Sequence, residues 1–79
     1  MDIKVLGTGC KKCIALYNLI NETLTELDIS AKVEKVEDIT QIVQYGVMLT
    51  PGLVINGKVK ISGKVLSKGD VKKYIQEEI

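Results

Sequence analysis

Seventy-nine residues, 46% hydrophobic and 27% charged, suit one small globular domain spanning 1–79, which buries only about 60–65% of the surface its unfolded chain exposes. No apolar run approaches the ~20 residues of a membrane span, and no apolar signal-type segment follows the N-terminus, so a cytoplasmic location is expected. The net charge of +1 argues against nucleic acid as the main partner, and the lack of His and Arg removes imidazole catalysis, imidazole metal ligation and bidentate phosphate clamps.

Residues 2–6 alternate, with Ile3 and Val5 on one face, and predict a short strand that ends in the turn Gly7, Thr8, Gly9. From Cys13 the apolar residues Leu16, Tyr17, Ile20, Leu24 and Leu27 recur at steps of three and four, which predicts a helix over about 11–28. The stretch 31–36 is rich in β-branched residues and reads as a second strand. Asp38 with Gln41 resembles a capping box opening a short helix, with Ile39, Ile42 and Val43 expected inward and Gly46 at its C-terminal cap. Residues 52–62 form the clearest hairpin, because Asn56 and Gly57 are the favoured pair for a two-residue type I′ turn. Ser67 with Asp70 caps a last helix that buries Val71, Tyr74 and Ile75. The order β-α-β-α-β-β-α implies an α/β domain with a mixed four-stranded sheet and helices packed on it.

The chemistry concentrates in the only two cysteines, Cys10 and Cys13, which stand where a strand ends, a glycine turn follows and a helix begins. The first turn of a helix has free N–H groups and the positive end of the helix dipole, and both stabilise a thiolate. Lys11 and Lys12 add two cations there, in thiolate-tuning positions that are otherwise unfavourable at a helix N-terminus. Cys10, nearer the turn, is expected to be the nucleophile and Cys13, on the buried face, the resolving thiol. Two other readings stand beside redox chemistry: an inert pair of small buried side chains, and a soft-metal site. A phosphate-loop reading of Gly7 to Lys12 fails, because Cys10 occupies the place where that motif needs Lys. The single X-Pro bond, Thr50–Pro51, lies directly before the hairpin.

With those residues in place, the chain resembles the thioredoxin/glutaredoxin superfamily, and more closely its small archaeal and bacterial redox proteins that begin Gly-Thr-Gly-Cys-x-x-Cys. The resemblance rests on Ile3 to Cys13, on Leu49 to Gly57 and on Ser62 and Gly63 before the last helix; with the element order, it covers essentially the whole chain. It implies a minimal thioredoxin-like fold, a cis Pro51 packed against a disulfide, and a Thr50 backbone offered to an extended substrate segment. The sequence departs from the familiar Trp-Cys-Gly-Pro-Cys, having Gly9, Cys10, Lys11, Lys12 and Cys13 instead. No clear counterpart exists for the buried Asp that handles a proton in thioredoxins; Asp2 and Glu34 are the acids on strands. The turn from Ser62 to Val65 lacks the acid that glutaredoxins use toward glutathione.

The expected function is therefore a dithiol–disulfide oxidoreductase acting on protein or small-molecule disulfides through Cys10 and Cys13. It would use no cofactor beyond that redox-active disulfide and no metal, work as a monomer, and depend on an external reductase. The alternative is a soft-metal-binding module or chaperone using the same C-x-x-C. Metal-carrying domains of this length usually have Met where Thr8 stands and end in a strand, whereas a closing helix is expected here.

Overall fold

The structure, a computed structural model, describes residues 1–9, 11–47, 49–64 and 66–78. Its elements are β1 (Asp2–Leu6), α1 (Lys11–Glu26), β2 (Lys32–Val36), α2 (Ile39–Gln44), β3 (Gly52–Ile55), β4 (Lys58–Ser62) and α3 (Lys68–Glu77). They build one four-stranded sheet in the order β2-β1-β3-β4. β1 runs parallel to β2 and antiparallel to β3, and β3 runs antiparallel to β4, so the sheet is mixed and the fold is thioredoxin-like α/β. No helix among the described residues is long and apolar enough to cross a membrane.

The alternation of the central strands sorts their side chains into two cores. Ile3, Val5, Leu53 and Ile55 meet Leu16, Ile20 and Leu24 of α1 and Val71 and Ile75 of α3 on one face. Leu6, Val36 and Val54 meet Ile42 and Val47 on the other, with Tyr45 packed against them. β3 is buried along its whole length because helical segments cover both of its faces.

The ends of the elements follow local chemistry. α1 stops at Glu26, two residues short of the expected end. Asp28 takes a left-handed φ of 54°, while the Ile29 N–H donates to the Leu24 carbonyl (3.0 Å) and the Asp28 N–H to that of Thr25 (3.2 Å). This is a Schellman ending built on Asp rather than Gly. The Asn56–Gly57 turn has φ of 51° and 81°, as a type I′ turn demands. Asn56 also ties the hairpin tip to β1, its N–H donating to the Asp2 carbonyl (2.7 Å) and its Oδ1 accepting the Asp2 N–H (3.0 Å). A register shift between Leu53 and Val54, unforeseen in the alternation, makes Lys60 the extra residue of a bulge. Ser67 and Asp70 form a complete capping box on α3.

α2 corrects one expectation. Only Ile42 faces inward; Ile39 and Val43 are 66% and 54% exposed. A helix of six residues rests on the sheet along a single line, and Tyr45 and Val47 beyond its end supply the remaining cover. Its N-cap Asp38 accepts the Thr40 N–H at 2.8 Å.

Candidate active site

The site lies where β1 gives way to α1. The Gly7 N–H donates to the Val36 carbonyl (2.9 Å), extending the β1–β2 pairing by one bond before the chain turns away through the exposed Thr8 and Gly9. Gly7 itself is buried against Cys13. A Cβ built on it would overlap Cys13 Sγ, stand 2.9 Å from Cys13 Cβ and reach within 3.8 Å of Thr50 Cβ. The missing side chain at position 7 is thus what lets α1 and the loop before β3 close on the same point.

Cys13 sits on the buried face of α1, is 5% exposed and is disulfide-bonded. Cys10, the expected nucleophile, lies outside the described residues. Lys11 and Lys12 are both exposed in a first turn that contains no acid. On the other side of Gly7, Pro51 is buried, Thr50 is exposed and the peptide bond between them is cis. The Pro51 carbonyl accepts the Gly63 N–H at 2.9 Å, and Ser62 Oγ donates to the Leu49 carbonyl at 3.4 Å, so the loop is held by the end of β4. Among the described residues, the Thr50 N–H and C=O take no part in these bonds.

Behind Cys13 is a pocket of about 140 Å³ whose walls include Gly7, Ile14, Lys35 and Glu37. The Lys35 ammonium lies 4.4 Å from the centre of the Tyr17 ring, which fixes it beside α1. A Cβ on Gly9 would meet Glu37 Oε2 at 3.9 Å, which puts that carboxylate at the rim of the turn. The acids considered from the sequence lie elsewhere. Asp2 is at the opposite end of β1, and Glu34 pairs with Lys32 at 2.7 Å beside a cleft it shares with Lys4 and Tyr45.

Sequence reasoning therefore missed Gly7, Lys35 and Glu37. The parallel pairing of β1 with β2 contained the signal for the last two. The register sets Val5 beside Lys35 and Leu6 beside Val36, so position 37 comes level with the turn that follows β1. As for ligands, no group of three or more His, Cys, Asp or Glu among the described residues is arranged to hold a metal ion.

A family model described as a thioredoxin domain matches residues 1–76. A thioredoxin of Methanothermobacter thermautotrophicus is 40% identical over 75 residues, covering 95% of this chain and 97% of its own length. A thioredoxin of Methanocaldococcus jannaschii is 32% identical over 74 residues, covering 94% of this chain and 85% of its own length.

Proposed function

This chain belongs to the thioredoxin-like family of thiol–disulfide oxidoreductases, and from that premise we propose that it reduces disulfides of proteins or small molecules through Cys10 and Cys13. The Cys10 thiolate attacks one sulfur of the substrate disulfide; a mixed disulfide forms and the other substrate sulfur leaves as a thiolate that takes a proton. Cys13, deprotonated, then attacks Cys10, releasing the second substrate thiol and closing the Cys10–Cys13 disulfide. Two electrons pass to the substrate, which is reduced as the protein pair is oxidised. A dithiol reductase supplies the two electrons and two protons that restore the starting state. No bound cofactor enters these steps, and the protein works as a monomer in the cytoplasm.

The observation that carries this reading is the convergence at Gly7: a disulfide-bonded Cys13 on one side and the Thr50–Pro51 loop on the other. A substrate segment lying along Thr50 can pair with its unused N–H and C=O and bring its own disulfide to the start of α1. Lys11 and Lys12, with the helix N-terminus, favour the Cys10 thiolate over the thiol.

The test is a redox titration of the cysteine pair combined with reduction of insulin in the presence of dithiothreitol. Catalysis above the dithiothreitol background and a single two-electron transition support the reading. Stoichiometric copper or zinc in the protein as isolated, exchanged with a partner and accompanied by no catalysis, would replace it with soft-metal transfer.

A further inference from the structure

The charge of the molecule is unevenly used. Four of its acids are spent in ion pairs: Glu34 with Lys32 (2.7 Å), Glu78 with Lys58 (3.3 Å) and Lys60 (2.9 Å), Glu77 with Lys60 (3.7 Å), and Glu26 with Lys68 (2.5 Å). The first lies within β2, and the others tie the hairpin to the end of α3 and the start of α3 to the end of α1. None involves the exposed Lys11, Lys12 or Lys64, which, like the exposed Lys72 and Lys73 of α3, have no carboxylate partner among the described residues.

Lys11, Lys12 and Lys64 flank the site from two directions. Lys11 and Lys12 open α1, where the helix dipole adds positive potential instead of offsetting theirs. Lys64 follows Gly63, whose N–H is bonded to the Pro51 carbonyl (2.9 Å) and whose own Cβ, if it had one, would lie 2.7 Å from Leu49 Cβ. Lys64 is therefore anchored beside the Thr50–Pro51 loop. Of the nearby acids, Glu37 reaches from the end of β2 to the rim of the Gly9 turn, where its carboxylate offsets part of the lysine charge, and Asp38 is occupied by the Thr40 N–H at 2.8 Å. Ile14, on the pocket that Lys35 and Glu37 also line, is 46% exposed, and Leu49, packed beside Gly63, is 66% exposed, so each flank sets an exposed apolar side chain near its lysines.

Deepening the proposed reductase reading, on which it rests, we propose that this rim selects disulfides set in acidic segments of partner proteins. Carboxylates flanking the substrate disulfide approach Lys11, Lys12 and Lys64, and an apolar residue of the segment covers Ile14 and Leu49. Long-range attraction of this kind acts chiefly on the association rate and is screened by salt.

The test uses two disulfide peptides identical except for flanking Glu or flanking Lys, each reacted with the reduced protein at low and high ionic strength. The acidic peptide is expected to react about tenfold faster at low salt, the advantage disappearing in high salt. Lys64→Glu should cut the ratio of the two rates several-fold, and Lys11→Gln with Lys12→Gln should cut it further. A change in thiolate reactivity alters both rates alike and cancels in that ratio. A ratio within about twofold of one, or one unaffected by salt, overturns the inference while leaving the reductase reading intact. If neither peptide nor a small uncharged disulfide is reduced, the reductase reading fails instead. Binding of the same peptides with serine in place of cysteine, followed by NMR shifts of Lys64 and Leu49, then decides whether the rim prefers acid. Equal competition by polyuridylate identifies a general polyanion surface and overturns the choice of an acidic protein segment.

Discussion

Two glycine-to-alanine substitutions should move stability in opposite directions, because the space around the two Cα atoms differs. At Gly69 a Cβ meets only Ser67 Oγ at 3.9 Å, an ordinary contact in the first turn of α3. Gly69→Ala should therefore gain about 0.5–1 kcal/mol through helix propensity and the lower entropy of the unfolded chain. At Gly7 a Cβ would overlap Cys13 Sγ and stand 2.9 Å from Cys13 Cβ. Neither atom can swing away, since the sulfur is bound in a disulfide and the Cβ is fixed to the α1 backbone. Either β1 or the first turn of α1 must move, at an overpacking cost of roughly 1–3 kcal/mol. For a domain this small, each kcal/mol shifts Tm by about 4–8 °C, so Gly7→Ala should melt roughly 5–20 °C below the wild type and Gly69→Ala a few degrees above it. Thermal and urea denaturation of the oxidised proteins, with the disulfide verified by mass, measure both. A Gly7→Ala protein as stable as the wild type with its disulfide intact would refute the close packing of Gly7 on Cys13.

Further outcomes follow from other parts of the molecule. Cys13→Ser should trap mixed disulfides at Cys10 with a substrate and Cys10→Ser should not, as read by mass spectrometry; trapping in the second variant alone reverses the assigned roles. Ile42→Ala, which empties a 4% exposed position, should cost about 2–4 kcal/mol, while Ile39→Ala, at 66% exposure in the same helix, should stay within about 0.5 kcal/mol; equal losses would contradict the inward line of α2. The hydrogen bond from Lys60 holds the Glu78 carboxyl below its ordinary 4.5 and is the main cause raising Lys60 above 10.5. The stabilisation contributed by Glu78 is therefore present above pH 4.5 and lost as pH falls through its lowered folded value, while that of Lys60 is present below pH 10.5 and lost as pH rises through its raised one. Glu78→Gln should melt earlier than the wild type at pH 7, and the gap should close as pH falls through the lowered folded value of Glu78; a gap that does not change with falling pH would remove the carboxylate from the account.

Much of the site's local geometry is written in short-range pattern. The three- and four-residue spacing in α1 places Cys13 on the buried face together with Leu16 and Ile20, because 3.6 residues per turn leave no other arrangement for a half-covered helix. Asn56 and Gly57 specify their turn, and Ser67 with Asp70 specifies the start of α3, because each feature is closed by atoms within four residues. The short α2 departs from its spacing for a related reason: spacing lists apolar positions, but six residues are too few to reveal which line of them meets the sheet.

Tertiary structure decided what depends on distant partners. The strand order β2-β1-β3-β4 places β1 in the interior of the sheet, with β2 on one side and β3 on the other. That arrangement brings Lys35 and Glu37 to the pocket behind Cys13 from over twenty residues away, and it sets Thr50 against Gly7 from over forty. Gly7 reads in the sequence as a turn residue. Its role as the point where α1, β1 and the Thr50–Pro51 loop touch arises only from the packing of α1 and that loop on the sheet, whose long-range contacts have no periodic trace along the chain.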